Sequence, residues 1–596
     1  MAGARLLVTL IWRSAGLLIV VRLVLAVVAG LGPVAVAWAT KLLLDGLAGV
    51  SGVSVLTAAV LVGATGAAMG LIPPVSQYLD AEAARQLRRR MHDGLFAGIN
   101  RMRGLAALED PVQRDRVHVA SHAAMTVPYQ ALTAALSLVQ NVLLIGGFLA
   151  ALATIGPLLA GVVAVSAVPN LLAQLSVARR RTEVVTRTAP RWRRQIFYGT
   201  LMTDPRAAKE IRLFGSGDTL RSRMDSEIGT ADREERVVDS YAARTAAGLS
   251  LLTALVSGLA LGLGVHRIVT GGAGLGSLAV LTAALVGVQS ALTSVTSQIA
   301  SGHEALRLFA SYHRVVTAPV DLPDPRPPAR TVPRLRRGIE LRDVWFRYDV
   351  GHPWILRGLT MSIPAGRSTA LLGLNGAGKS TVVKLLCRLY DPVAGTILWD
   401  GVDLRELPVE ELRRRISTVF QDHMTYELTA ADNIALGDVR RAPTMERIRA
   451  AARHADVDDV LAALPSGYDT LLTRAFGDGD DGAVGVPLSG GQWQRIALAR
   501  AALREDADLR ILDEPSTGLD PEAEYEAQRR LRTYRSGTTS LVVSHRLNTV
   551  RDIDQIVVLG DGRVVECGNH DTLLAEGGRY ARMFGLQAAG YAGRVA

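Results

Sequence analysis

The chain has 596 residues, which exceeds the ~100–200 residues of one ordinary domain, so two or more structural units are expected. It is 49% hydrophobic with a mean hydropathy of +0.22, which excludes a simple soluble protein. The formal charge of +10 would suit contact with nucleic acid or an anionic membrane surface. Lysine occurs only four times, however, and this preference for arginine is more typical of codon bias in a GC-rich bacterial genome.

The charge distribution predicts six membrane spans in the first half of the chain. Between Val117 and Ala178 there is no Asp, Glu, Lys or Arg. One helix of that length would measure about 93 Å, three times the thickness of the hydrocarbon layer, so we expect two spans joined at the turn Thr154–Pro157. We expect another span to end near Pro73 and Pro74, because proline disrupts helices. The predicted spans are 15–40, 53–75, 126–151, 156–178, 244–267 and 276–300.

The loops after the second and fourth spans are long and rich in arginine, at 85–90 and 179–181. Positive residues near the ends of spans mark the cytoplasmic side, so both termini are predicted to be cytoplasmic. Charged and apolar residues alternate at helical spacing in these loops, which predicts that the helices extend into the cytosol. Arg22 is a strong charge inside a span and hence a functional candidate, but we expect its side chain to reach the nearby interface.

A proline-rich segment separates the membrane region from a second domain. Six prolines between Pro319 and Pro333 predict a semi-rigid linker. After it, short apolar strands alternate with helical patterns, which indicates an α/β domain. The predicted boundaries are 1–316 for the transmembrane domain, 317–337 for the linker and 338–596 for the α/β domain. The two cysteines, Cys387 and Cys567, predict no disulfide framework or metal cluster, and we expect both to be buried.

The strand STALLGL is followed by a turn that matches the phosphate-binding pattern GxxxxGK[ST]. Backbone N–H groups of such a loop, and of the helix that follows it, surround phosphates. Lys379 is expected to reach the β- and γ-phosphates and Ser380 to hold Mg²⁺, whereas Lys384 is expected to be an ordinary surface residue. The predicted nucleotide-contacting residues of this loop are Gly373, Leu374, Asn375, Gly376, Ala377, Gly378, Lys379, Ser380 and Thr381.

The segment LRILDEPSTGLD at 509–520 contains an apolar strand that ends in two acidic residues. Asp513 is expected to hold Mg²⁺ through water, and Glu514 to stand where a water could attack the γ-phosphate. A structural ion pair is the alternative reading of an acidic dipeptide, and a preceding phosphate-binding loop makes it the weaker one. Arg510 interrupts the apolar strand, which predicts that one edge of the strand is accessible.

A phosphate-binding loop and an acidic strand occur in many NTPases, and the segment LSGGQWQRIALARA at 488–501 indicates which class of NTPase this domain resembles. With the phosphate-binding loop and the acidic strand, it makes this domain resemble an ATP-binding cassette protein, whose ligands are ATP and Mg²⁺. The resemblance implies that Tyr348 stacks on adenine and that Gln421 senses Mg²⁺ and the membrane domain. It also implies that His545 contacts the γ-phosphate and that Asp520 lies in a loop between paired cassettes.

In this family two cassettes face each other, so that each nucleotide also contacts the signature of the opposite cassette. Here that signature is Ser489, Gly490, Gly491 and Gln492. The whole chain resembles an exporter-type half-transporter, which implies an α-helical transmembrane domain of six spans followed by an α/β P-loop NTPase cassette. The segments 107–115 and 201–215 would be the coupling helices. Exporters of this type usually carry an acidic, glycine-containing stretch just before the signature. The corresponding segment here, 475–487, has a different sequence, which puts in doubt its role in communication with the coupling helices.

The resemblance implies ATP-driven export of an amphiphilic or hydrophobic substrate across the bacterial inner membrane, by alternating access in a dimer. A peptide, secondary metabolite, drug or lipid would fit. We expect a homodimer with two equivalent ATP sites, because every catalytic element is present. The alternative is a subunit of a heterodimeric transporter, which could import with an exporter fold. A soluble cassette ATPase acting on DNA or ribosomes would suit the basic charge, but the uncharged spans argue against it, and no nucleic-acid partner is expected.

Overall fold

The computed structural model describes residues 2–49, 52–270, 274–325, 330–473, 485–515, 529, 532, 534, 537–546 and 549–592. They form two compact units. The first contains Met1–Asn100 and Arg114–Ala318, and the second contains Arg101–Gln113 and Pro319–Ala596. The predicted transmembrane domain included residues 101–113, which the structure instead groups with the second unit.

The first unit is helical, and six of its helices are long and apolar enough to cross a membrane, as predicted. Helices of 40 to 53 residues measure about 60–80 Å, at least twice the thickness of the hydrocarbon layer, so they extend well beyond it. The long helices are α1 (Ala2–Leu47), α2 (Val55–Asn100), α4 (Pro111–Ile155), α5 (Pro157–Thr203), α7 (Gly217–Val269) and α8 (Ser277–Val316). Two short helices are α3 (Ala106–Glu109), within the second unit, and α6 (Pro205–Leu213).

Proline has different effects at two places in the first unit. Helix α2 continues through Pro73 and Pro74 to Asn100, so the two prolines do not end the helix as expected, whereas its continuation past residue 75 agrees with the predicted extension of the helices. Membrane helices tolerate proline because neighbouring groups satisfy the freed backbone atoms. Between α4 and α5 the predicted turn is confirmed, because Gly156 has an extended backbone and Pro157 begins the next helix.

The structure gives Arg22 a partner inside the first unit, which the prediction of a side chain reaching the membrane interface did not include. Its side chain is buried, and Nε donates a hydrogen bond of 2.9 Å to Oδ1 of Asp80 in α2, which is also buried. The pair links α1 to α2. Removal of either partner would leave the other charge buried without compensation. The position of Arg22 in the sequence gave no sign of a partner 58 residues away.

The second unit is an α/β domain with two sheets, which confirms the predicted fold class. One sheet is antiparallel with the order β2-β1-β4-β5, and the other has the order β10-β9-β3-β8-β7-β6, parallel except for β10. The strands are β1 (Gly338–Phe346), β2 (Leu356–Pro364), β3 (Ser368–Gly373), β4 (Ala394–Trp399), β5 (Val402–Asp403), β6 (Ile416–Val419), β7 (Leu509–Asp513), β8 (Thr539–Val543), β9 (Gln555–Gly560) and β10 (Arg563–Gly568). The helices are α9 (Lys379–Leu386), α10 (Val409–Arg414), α11 (Ala430–Ala435), α12 (Met445–His454), α13 (Asp458–Ala462), α14 (Gly490–Ala502), His570–Ala575 and Arg579–Ala592.

The parallel sheet is buried on both faces, and every residue of β8 is buried. Strands buried on both faces are mostly apolar rather than alternating, although β8 begins with the buried polar residues Thr539 and Ser540. Their carboxyl ends meet at one edge of the sheet, which is where open α/β sheets bind ligands. This arrangement brings Gly373 at the end of β3 and Asp513 at the end of β7 to the same edge.

Arg510 does not mark an accessible strand edge, because β7 is paired on both sides, with β8 and with β6. The guanidinium of Arg510 lies 4.1 Å from the centre of the Tyr534 ring and donates a hydrogen bond to the Tyr534 carbonyl. A planar cation can stack on an aromatic ring, so the charge is accommodated inside the unit. The predicted accessible edge was therefore wrong.

Candidate active site

The phosphate-binding loop connects β3 to α9, and its shape depends on glycine. Gly376 and Gly378 have φ of +82° and +98°, which glycine adopts without strain. A Cβ at Gly378 would approach Leu356 Cδ2 to 2.7 Å, so a larger residue would require this packing to shift. The loop therefore has the backbone that the sequence pattern predicts.

Lys379 is the first residue of α9, and its side chain is enclosed by the loop. It is 7% exposed, and Nζ donates hydrogen bonds to the carbonyls of Gly373 at 2.9 Å and Leu374 at 3.2 Å. Burial lowers the pKa of Lys379, while the nearby carboxylates of Glu514 and Asp513 oppose this effect. The ammonium thus lies within the loop, where phosphate oxygens could replace the carbonyls as acceptors.

Asp513 is a buried carboxylate, only 4% exposed. Among the residues that the structure describes, none donates a hydrogen bond to its Oδ1. Burial and the adjacent Glu514 carboxylate raise the pKa of Asp513 to about 6, against the opposing effect of a hydrogen bond with Ser380. An unpaired buried oxygen is costly, so this position fits a bound cation.

Mg²⁺ fits these residues. It is usually held by one or two carboxylates together with waters and substrate phosphates. Asp513 and Ser380 supply such oxygens beside the phosphate-binding loop. Within the described part of the chain, no group of three or more His, Cys, Asp or Glu side chains could hold a metal by itself. A metal here would therefore depend on the nucleotide for further ligands.

The three residues predicted to be catalytic lie together, because Gln421 and His545 both lie beside the carboxylate of Glu514. Gln421 Nε2 donates to Glu514 Oε2 at 2.8 Å, and His545 Nδ1 lies 3.2 Å from Oε1. The Glu514 backbone has φ of +50°, a strained value for a residue other than glycine. Its N–H donates to the carbonyl of Val543 at the end of β8 at 2.9 Å. The strained backbone is thus fixed from the neighbouring strand.

Tyr348 and the signature segment are accessible at the surface of the unit. Tyr348 is 37% exposed, and its hydroxyl lies 3.2 Å from Thr381 Oγ1. Ser489 is exposed at the start of α14, where Ser489 and Gln492 form a reciprocal capping box. The exposed N-terminus of this helix could meet an anion from outside the unit. Asp520 and residues 475–484 of the departing segment lie outside the described residues.

The sequence prediction missed the surroundings of Lys384. Its Nζ lies 2.7 Å from Oε1 of Glu109 in α3 and 5.1 Å from the centre of the Tyr348 ring. Lys384 is therefore not an ordinary surface residue, which corrects the prediction. The partner lies 275 residues earlier, so no local pattern could reveal it.

Residues 356–517 match the family model of the ABC transporter. The ATP-dependent lipid A-core flippase of Methylococcus capsulatus is 42% identical over 273 residues, which cover 46% of this chain and 44% of that protein. The protein of the same name from Alkalilimnicola ehrlichii is 37% identical over 388 residues, 65% of this chain and 63% of that protein. The matches thus span less than two thirds of either relative.

A solved structure of a bacterial Atm1-family ABC exporter with ATP bound has a TM-score of 0.79 and 25% identity to this chain. The similarity covers 96% of this chain and 98% of that chain. The second unit therefore contains an ABC transporter domain, the class that binds nucleotide. The chain as a whole has the fold and the domain order of an exporter-type ABC half-transporter, with six membrane helices before one cassette.

Proposed function

We propose that the protein is an ATP-driven exporter that moves an amphiphilic substrate across the bacterial inner membrane by alternating access, with both termini in the cytoplasm. The observation that carries the proposal is the meeting of Lys379, Asp513 and Glu514 at one edge of the sheet. The six helices support the membrane location. In the most apolar 18-residue stretch of each helix, at most 39% of the residues are buried within the protein. The remaining residues are therefore free to face lipid or a second copy of the chain.

The arrangement supports hydrolysis of ATP at the γ-phosphate. Lys379 and the N–H groups of its loop would bind the phosphates, and Ser380, Gln421 and Asp513 would hold Mg²⁺. Bound Mg²⁺ would neutralise part of the phosphate charge. Glu514 would accept a proton from water as the water oxygen bonds to phosphorus and the bond to the ADP oxygen breaks. The hydrogen bond from Gln421 orients that carboxylate.

We propose a homodimer with two equivalent ATP sites. This chain contains one phosphate-binding loop and one signature segment, and the exposed Ser489 at the start of α14 would face the loop of a second copy. All the predicted catalytic side chains are present in one chain. Two identical chains could therefore build two complete composite sites.

The first unit supports an amphiphilic substrate that carries an anionic group. A cavity of about 430 Å³ lies between α5 and α8, lined by Val177 and Val185, by Arg181 and Arg307, by Glu304 and by several serine and threonine side chains. The apolar side chains would hold a hydrocarbon portion, and the two guanidinium groups, which outnumber the one carboxylate, would attract a phosphate or carboxylate. The two relatives are named lipid A-core flippases, which supports a lipid-like substrate.

The test is ATP hydrolysis and transport by the purified chain alone in inverted lipid vesicles. We expect ATP hydrolysis without a second half-transporter, and ATP-dependent accumulation of a labelled anionic lipid analogue in the lumen. A zwitterionic analogue and an amphipathic peptide serve as alternative substrates, and Glu514→Gln as the inactive control. Activity that appears only after a second, different half-transporter is added would contradict the homodimer. ATP-dependent loss of the analogue from the lumen would contradict export.

A further inference from the structure

Lys384 is held by a charged partner within the second unit. Its side chain is 28% exposed, and Nζ lies 2.7 Å from Glu109 Oε1. Burial, the largest single influence, lowers the pKa of Lys384, but the hydrogen bond to Glu109 and the further interactions with Glu109 and Tyr348 together leave the net pKa raised. Burial raises the pKa of Glu109, yet hydrogen bonds from Lys384 and Tyr390 leave it lowered overall. Both groups are therefore charged at neutral pH.

The same ammonium lies beside two aromatic rings. Nζ of Lys384 is 5.1 Å from the centre of the Tyr348 ring and 5.8 Å from that of Tyr390. The two rings meet edge to face, with centres 5.4 Å apart and planes at 84°. The hydroxyl of the buried Tyr390 donates to Glu109 Oε2. One carboxylate thus fixes the cation and one ring, and the cation in turn attracts the ring of Tyr348.

Glu109 is itself held firmly, because the segment around α3 is bonded to the rest of the second unit. The N–H of Leu105 donates to the Leu389 carbonyl at 3.0 Å, and the N–H of Gly104 donates to Asp321 Oδ2 at 2.9 Å. Arg413 adds a hydrogen bond of 2.7 Å to the carbonyl of Arg103. A displacement of this segment would therefore move the carboxylate that holds Lys384.

We propose that Lys384, held by Glu109, is a positioning residue that orients the ring of Tyr348 for stacking on a purine base and links this orientation to the segment 103–109. The inference rests on the proposed function, in which Tyr348 stacks on adenine. If the inference is right, removal of Lys384 weakens the contribution that the base makes to nucleotide affinity. The contribution that the phosphates make should stay the same. Arginine can replace lysine here, because it keeps the charge, the ion pair and the attraction to the ring.

The test compares two ligands of the full-length protein in lipid nanodiscs, with EDTA present so that no ATP is hydrolysed. ATP carries both the base and the phosphates, whereas inorganic tripolyphosphate carries the phosphates alone. For Lys384→Met we expect the Kd of ATP to rise about threefold to tenfold, the range typical of a lost cation–π contact, and the Kd of tripolyphosphate to change less than about twofold. Lys384→Arg is the matched control and should bind ATP within about twofold of the parent.

Glu109→Gln provides a second test that leaves the lysine in place, in case Lys384→Met folds poorly. We expect it to weaken ATP binding by about twofold or more, with tripolyphosphate binding unchanged. Normal ATP binding by both variants would overturn the positioning role, and so would an equal loss for ATP and tripolyphosphate. A parent protein that binds neither ligand would instead refute the proposed nucleotide site, so the two failures are distinguishable.

Discussion

Gln421 donates a hydrogen bond of 2.8 Å to Glu514, although the two residues are 93 positions apart. Gln421 follows β6 and Glu514 follows β7, and these strands are neighbours in the parallel sheet. The amide therefore fixes one oxygen of the carboxylate proposed to be the general base. Any loss of this contact should affect turnover more than it affects nucleotide binding.

Replacement of Gln421 by alanine tests this relationship. A hydrogen bond to a charged group contributes about 1.5–3 kcal/mol, so we expect kcat for ATP hydrolysis to fall about tenfold to hundredfold. The Kd of ATP, measured with EDTA, should change less than about threefold. Met424→Ala is the control, because its side chain is exposed three residues away, and it should hydrolyse ATP nearly as the parent does. A large loss of affinity in Gln421→Ala would assign this residue to binding instead.

The two lysines of α9 should respond differently to substitution. Lys379→Ala removes the enclosed ammonium, so nucleotide binding and hydrolysis should be lost, as equilibrium binding and phosphate release would show. Lys384→Arg keeps the charge and should be nearly silent in both assays. Equal losses in the two variants would contradict the separate roles assigned to them.

The buried pair Arg22–Asp80 should contribute to the stability of the first unit. Removing one partner of a buried ion pair typically costs about 3–5 kcal/mol, because the remaining charge has no compensation. Asp80→Asn should therefore lower the thermal unfolding midpoint of the purified protein clearly. Glu82→Gln, which alters a more exposed pair two residues away, is the matched control and should have little effect.

A double variant separates the charge from the packing of this pair. Arg22→Met combined with Asp80→Leu leaves no unpaired charge, so it should be more stable than Asp80→Asn alone. If Asp80→Asn unfolds at the same temperature as the parent and Glu82→Gln, the pair does not stabilise the contact between α1 and α2.

The two cysteines should differ in reactivity. Cys387 is buried, and burial raises the pKa of its thiol to about 11, whereas Cys567 is exposed. The thiolate is the reactive form, so a maleimide at pH 7 should label Cys567 in the folded protein and Cys387 only after denaturation. Peptide mass spectrometry would locate the label, and rapid labelling of Cys387 under native conditions would contradict the structure. The prediction from sequence that both are buried was wrong for Cys567.

Features that depend on local sequence were predictable. The uncharged stretches predicted the six spans, and the glycine pattern predicted the loop between β3 and α9. The turn at Gly156 was also predictable, because glycine and proline determine the conformation of the backbone at their own positions. In each case the determining interactions lie within a few residues of one another.

Features that depend on distant partners were not predictable from one sequence. Arg22 and Lys384 each pair with a carboxylate in another helix, and Arg510 stacks on an aromatic ring 24 residues away. Burial of a charge changes its role from a solvated group to part of a pair, and the sequence alone does not show burial. The same limit applies to Cys567, whose strand has an exposed face at the edge of the sheet.

The most direct test of the account is single-turnover and steady-state hydrolysis of MgATP by Glu514→Gln beside the parent. Glutamine keeps the shape of the side chain but cannot accept a proton from water. General-base catalysis typically contributes about 10²–10⁴-fold, so hydrolysis should fall by about that factor while the Kd of MgATP stays near the parent value. A reduction of less than about threefold, with normal binding, would contradict the assignment of Glu514 as the catalytic base of an ATP-driven transporter.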